Sequence, residues 1–463
     1  MKKSFLVLFA IILAGTQLAS AQHFRTAYFM DKSTVRMNLN PAFRPERGYI
    51  DVPGVGALGV GFSSNSFALD DIFYPDGSGG MISLLNPKIT FDSLTDKLKG
   101  RNSISFDTQI SVLGAGFRSG NGYWDFGLDI RTEGGVSVPD DMFRFLKKGS
   151  GTYDLSGFSY GLDSYAVLSA GYSYKINREL VVGARLNYIG GLARMRIRFD
   201  KLDLTLNGDR WSADARGAME IASRNAADYM GGNGIDMDEV EFKLNGLSGS
   251  GFSVDFGLHY RFMETLDLSV SVLDLGLIRW GGNHSVVSSY EGGFSFTGIE
   301  ITGRDNIVTG YTGDINDLLN FEEGEKKAVT SSLKGKLVLG AELPLLDRYL
   351  TVGVVYMTKR NQFVNRSEFS AALTVRPAHW FTAAVSYTFD KSGNIGKEKW
   401  NSIGLALNFH PSWINFYIGT DYMFSRVSTW GIPLGQKVFN LCMGISVPIG
   451  NRMDTYRQVN SRM

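Results

Sequence analysis

Apolar and polar residues alternate along most of this chain, and the clearest run lies between Gly251 and Trp280. Phe252, Val254, Phe256, Leu258, Tyr260 and Phe262 hold one parity; Ser253, Asp255, Gly257, His259 and Arg261 hold the other. A period of two gives an extended strand one apolar and one polar face. After Met263, Glu264 and Thr265 the alternation resumes, with Leu266, Leu268, Val270 and Val272 set against Asp267, Ser269 and Ser271. The pattern predicts a long antiparallel hairpin. Strands of soluble sheets run to about five or six residues, whereas about ten tilted residues cross a bilayer.

Fourteen such segments follow one another: 50–62, 103–118, 122–138, 163–177, 179–198, 252–263, 265–281, 334–345, 348–360, 366–377, 379–390, 401–411, 413–426 and 437–449. The connections after the even-numbered segments are tight, centred on 119–121, Arg178, Glu264, 346–347, Ala378 and Ser412. Those after the odd-numbered segments run longer, at 63–102, 139–162, 199–251, 282–333, 361–365, 391–400 and 427–436. Sorting of loop lengths by parity is the signature of an outer-membrane barrel, with short periplasmic turns and long outer loops. Trp124, Trp380 and Trp413 lie where strands leave the tight turns, and Trp280 and Trp400 lie beside long loops, as two interfacial aromatic belts require. The predicted fold is therefore all-β: a transmembrane antiparallel β-barrel of about fourteen strands.

Export fits this picture. Lys2 and Lys3 precede an apolar stretch from Phe5 to Ala14, and Ala19, Ser20 and Ala21 form a small-residue cleavage site, so the mature chain is expected to begin near Gln22. Residues 1–21 are read as a signal peptide, 22–49 as an N-terminal hatch, 50–449 as the barrel and 450–463 as a polar periplasmic tail. Segment 22–49 is not strand-like, since Pro41 and Pro45 with Asn40 favour turns over a sheet ladder. Net charge is +1, which gives nucleic acid no electrostatic hold, and no nucleic-acid partner is expected. A hydrophobic content of 44% suits a barrel that shows lipid only half of each strand. The single cysteine, Cys442, excludes an intrachain disulfide.

The long loops contain helical signals. Asp140 to Lys148 is acidic at its start and basic at its end, and Gly149 follows. Residues 212–230 are Ala-rich and are read as a second helix, and Asp314 to Asn320 as a third. On the polar parity stand Asp125, Asp129, Arg131, Asp255, His259, Arg261 and Asp267. Charges facing lipid are very costly, so these are expected to line the lumen. Catalysis finds little support. His259 is the one histidine placed mid-strand on the lumen parity, and Asp255 lies four residues, roughly 13 Å, along the same strand. Neither a nucleophile elbow nor a metal-binding spacing appears, so no enzyme activity, metal or cofactor is expected.

The order of features resembles the long-chain fatty-acid transporter superfamily of outer-membrane barrels (FadL-type), in which an N-terminal hatch with an Asn-Pro-Ala motif precedes fourteen strands. Here Asn40, Pro41 and Ala42, followed by Phe43, stand just before the first strand. Together with the block ending Val-Leu-Asp-Leu-Gly-Leu-Ile-Arg-Trp at 272–280, they also resemble a family of uncharacterised barrels from Bacteroidetes. The resemblance implies a passive channel or transporter for a small hydrophobic solute, with outer-membrane lipid around it and a small hydrophobic ligand within. Related barrels serve in protein secretion, so the alternative is a structural or docking barrel with an exported protein as partner. The chain departs from common practice in ending its last strand near Pro448 and Ile449, with a polar tail in place of a terminal aromatic residue.

Overall fold

The computed structural model describes residues 24–75, 81–83, 86, 89, 94, 96–207, 210–224, 230–231, 234–235, 246–263, 265–297, 324–359, 363–390, 400–423, 426–427, 433–434 and 437–450. Fourteen antiparallel staves make up the wall. They are β1 (Gly48–Asp51, resumed as Leu58–Ser64), β2 (Arg101–Ser119), β3 (Gly122–Pro139), β4 (Ser159–Lys175), β5 (Leu180–Asn207), β6 (Gly249–Phe262) and β7 (Leu266–Trp280). There follow β8 (Val329–Ser332, resumed as Lys336–Leu345), β9 (Leu350–Lys359), β10 (Arg366–Ala378), β11 (Phe381–Asp390), β12 (Trp400–Phe409), β13 (Asn415–Thr420) and β14 (Val438–Ile449). Each stave pairs with its sequence neighbours, and β1 pairs with both β2 and β14, so the sheet closes without a free edge.

The apolar parity faces outward. Phe252 is 64% exposed, Leu186 60%, Leu168 57% and Val385 52%, and similar residues ring the wall. In water so continuous an apolar surface would drive association; around a closed barrel it is the lipid-facing band of an outer-membrane protein. Trp124, Trp380 and Trp413 are exposed near the tight turns, and Trp124 packs on Tyr172 with ring centroids 4.5 Å apart. No described helix is long and apolar enough to cross a membrane.

Four sequence expectations need correction. Segment 50–62 is not one strand: Val52 to Ala57 leaves the ladder through a turn in which Gly54 has φ 79°. Segment 413–426 is strand only from Asn415 to Thr420. Trp280 is no belt residue, because it is fully buried, with the Arg194 guanidinium 5.9 Å from its ring. A bulge at Asp274, whose φ is 56°, shifts the parity of β7, so Leu273 and Asp274 both turn inward and Ile278 and Trp280 follow.

The fourth correction concerns 212–230. The described part is strand Arg210–Ala222, paired with the outer end of β5 on one side and with strand Ser285–Thr297 on the other. Ala213, Ala215, Met219 and Ile221 are buried while Asp214 and Arg216 are exposed, a period of two. The alanines that suggest a helix by propensity here fill the inner face of a sheet, where tertiary pairing overrides propensity. Asp140–Lys148 is a helix, as expected, with Asp140 and Asp141 in its first turn and Lys147 and Lys148 in its last. Asp314 to Asn320 lies outside the described residues.

Candidate functional site

The segment preceding β1 occupies the lumen. It contains one helical turn, α1 (Arg25–Tyr28), and a 3-10 turn, Thr34–Asn38, whose start is capped by the Ser33 hydroxyl accepting from the Val35 N–H. Every backbone-to-backbone hydrogen bond of 24–47 seen among the described residues stays within the segment, as in Phe29 to Thr26, Leu39 to Arg36 and Phe43 to Asn40. The wall holds it through side chains.

Asn40, fully buried, is the most specific of these holds. Its amide nitrogen donates to the backbone carbonyls of Leu258 on β6 and Val270 on β7, each at 3.2 Å. Its amide oxygen accepts the Ala42 N–H at 2.8 Å, which closes a turn around Pro41. The wall has glycine where this turn approaches. A Cβ on Gly257 would lie 2.0 Å from Asn40 Oδ1, and one on Gly183 would lie 2.4 Å from the Pro41 carbonyl oxygen. Phe43 packs edge-on to Tyr28 and His259, and the Arg36 guanidinium lies 4.0 Å from its ring centroid.

Ion pairs surround the segment. Arg25 reaches Glu368 at 3.1 Å and Asp421 at 3.5 Å, while Asp421 accepts the backbone N–H groups of Arg25 and Thr26. Arg366 also pairs with Glu368, and the Arg25 and Arg366 guanidinium groups lie 4.9 Å and 5.2 Å from the Tyr422 ring centroid. Asp31 pairs with Arg376 at 3.1 Å, and Arg36 with Glu342. Sequence reading missed this set. The inward parity of Glu342, Glu368 and Arg366 on β8 and β10 was available as a signal.

The segment has two unlike sides. Between its ion pairs to Glu342, Glu368, Arg376 and Asp421, the side toward β7–β12 is apolar: Phe24, Ala27, Phe29, Met30 and Leu39 form one buried cluster with the inward residues Leu273, Val338, Val355, Met357, Ala372, Ala384 and Ala406. Toward β1–β7 the wall is charged, and the residues predicted for the lumen lie here. Asp125 pairs with Arg185 at 2.7 Å. Arg131 reaches Asp274 at 2.9 Å and Asp129 at 3.6 Å, and Asp129 also accepts from Gln109. Asp274 binds Lys336 at 2.8 Å, and its N–H donates to Asp255 at 2.6 Å. Asp255 accepts from Asn187 rather than meeting His259. The carboxylate near His259 is Asp267 on β7, at 3.5 Å, where Arg261 and Arg348 also converge. Among the described residues no group of three or more His, Cys, Asp or Glu side chains is arranged to hold a metal.

The model of a family of unknown function, DUF5723, matches residues 41–421. No curated protein matches the sequence. Similar solved structures include the deltaS2S3 mutant of the TodX monoaromatic hydrocarbon channel, at 10% identity and a TM-score of 0.45 over 93% of this chain and 96% of that one. The Ralstonia pickettii toluene transporter TbuX is similar at 12% identity and a TM-score of 0.40, over 92% of this chain and 97% of its own.

Proposed function

The chain belongs to the DUF5723 family of unknown function, and we propose on its geometry that it is a passive outer-membrane channel for a small hydrophobic solute, closed at rest by its N-terminal segment. One observation carries the gating: among the described residues no backbone-to-backbone hydrogen bond ties 24–47 to the wall. The segment can leave the lumen without breaking a single rung of the barrel ladder, at the cost only of side-chain contacts. In this reading residues 1–21 direct export, 22–49 act as the hatch, 50–449 form the pore and 450–463 a periplasmic tail.

The apolar side of the lumen supports a hydrophobic solute. Barrel interiors are ordinarily polar, yet Leu273, Val338, Val355 and Met357 turn inward on β7, β8 and β9 and rest on Phe29 and Met30. Movement of the hatch would bare this strip to whatever enters from the loops, and apolar surface binds apolar solutes.

A second reading, a docking barrel for an exported protein, is favoured by the outer sheet. The end of β5, Arg210–Ala222 and Ser285–Thr297 form an extended surface carrying exposed Arg198, Asp200, Asp214 and Arg216. Purification in mild detergent with mass spectrometry of bound small molecules separates the two. The channel reading expects a stoichiometric apolar ligand that is lost when residues 24–46 are deleted, and a rise in conductance of the deleted form in planar bilayers. An empty barrel with unchanged conductance on deletion overturns it, and a co-purifying exported protein moves the assignment to docking.

A further inference from the structure

Between the N-terminal segment and staves β1–β3 lies a polar cavity of about 40 Å³, room for a small ion and two or three waters. Three carboxylates line it, Asp51, Asp125 and Asp129, against two guanidinium groups, Arg131 and Arg185. Arg185 is engaged by Asp125, and Arg131 is shared between Asp129 and Asp274. Asp51 is left over. It is only 8% exposed, and among the described residues its Oδ1 has no hydrogen-bond partner and no cation pairs with it.

This position is built. Asp51 ends the first half of β1, just where the stave leaves its ladder, and its carboxylate fits into the wall beside Gly114. A Cβ on Gly114 would lie 2.0 Å from Asp51 Oδ2, so glycine there leaves room for the Asp51 carboxyl group. A buried carboxyl oxygen left without a hydrogen bond is costly, and an ion in the adjoining cavity would satisfy it.

We propose that this cavity binds one hydrated divalent cation of the alkaline-earth class, held by Asp51 and Asp129. Ions of this class take carboxylate oxygens, and the smaller of them keep several waters and use one or two carboxylates, which matches two acids and a small wet cavity. Thr34 and Asn38 of the N-terminal segment face the same space, so the ion bridges hatch and wall and stabilises the closed state.

The test uses full-length protein in detergent, stripped with chelator and titrated calorimetrically with Mg²⁺ and with Ca²⁺. One ion per barrel is expected for the natural chain, with affinity lowered at least tenfold by Asp51→Asn and unchanged by Asp200→Asn, an exposed outer-sheet control. The ion should also reduce channel opening in the natural chain and not in Asp51→Asn. Asp129→Asn replaces Asp51→Asn if the latter fails to insert, and must lose the ion as well. Equal binding by the natural chain and both variants, or no binding beyond the surface sites that Asp200→Asn removes, overturns the proposal.

Discussion

Asn40→Ala tests how the lumen segment is held. Asn40 makes three hydrogen bonds, two at 3.2 Å to the carbonyls of Leu258 and Val270 and one at 2.8 Å from the Ala42 N–H. Only the two to Leu258 and Val270 reach the wall, so at about 1 kcal/mol net for each, docking weakens by about 2 kcal/mol. At about 1.4 kcal/mol per tenfold, the ratio of docked to undocked segment falls roughly thirtyfold. The barrel ladder is untouched, so heat-modifiable mobility and strand content should match the natural protein. In planar bilayers the variant should open far more often, with each opening as large as those of a barrel lacking residues 24–46. Gly257→Ala pushes from the other side of the contact, since its Cβ would stand 2.0 Å from Asn40 Oδ1, and should act in the same direction. If the deletion opens the pore while Asn40→Ala and Gly257→Ala behave like the natural chain, the Asn40 contact does not hold the gate and the reasoning fails.

Three further outcomes are expected. Arg25→Met removes a cation from between Glu368 and Asp421 and should weaken docking by about 3–5 kcal/mol, seen as protease cleavage within 24–47 of the folded barrel; continued protection refutes it. An impermeant thiol label should reach Asp214→Cys on intact cells and Ala378→Cys only after permeabilisation, with buried Cys442 giving no background; the reverse pattern overturns the orientation. Burial pushes the Asp31 carboxyl up, but Arg376, Lys32 and Arg36 outweigh it and hold the group well below its ordinary range. A depressed carboxylate contributes stability above its unfolded value of about 3.9 and loses it as pH falls. The contribution of Asp31 should therefore be constant from pH 8 to about 5 and be lost only below about pH 4. Asp31→Asn should raise opening at neutral pH, and an unchanged pH profile in that variant refutes the assignment.

The wall of this protein was legible in its sequence because strand period is a local property. Apolar residues two apart over a bilayer's thickness demand one lipid face, whatever the strands pair with, so fourteen staves, their order and the tight turns all follow from the chain read in line. The polar parity likewise named Asp125, Asp129, Arg131, Asp255, His259, Arg261 and Asp267 as a set. Their partners were not legible. Asp125 meets Arg185 sixty residues away, Asp129 and Arg131 meet Gln109 and Asp274, and His259 meets Asp267 across a hairpin rather than Asp255 along a strand. Such pairings depend on register and curvature, which no local pattern encodes. One extra residue at Asp274 inverts the rest of β7 and sends Trp280 from the expected membrane belt into the interior. The strand at Arg210–Ala222 similarly owes its form to β5 and Ser285–Thr297 on either side, against the helical preference of its alanines. Asn40, Pro41 and Ala42 stood out as a motif, but only the closed barrel brings them against Gly183 and Gly257, because contact between a segment and a wall more than a hundred residues distant arises only once the sheet has closed.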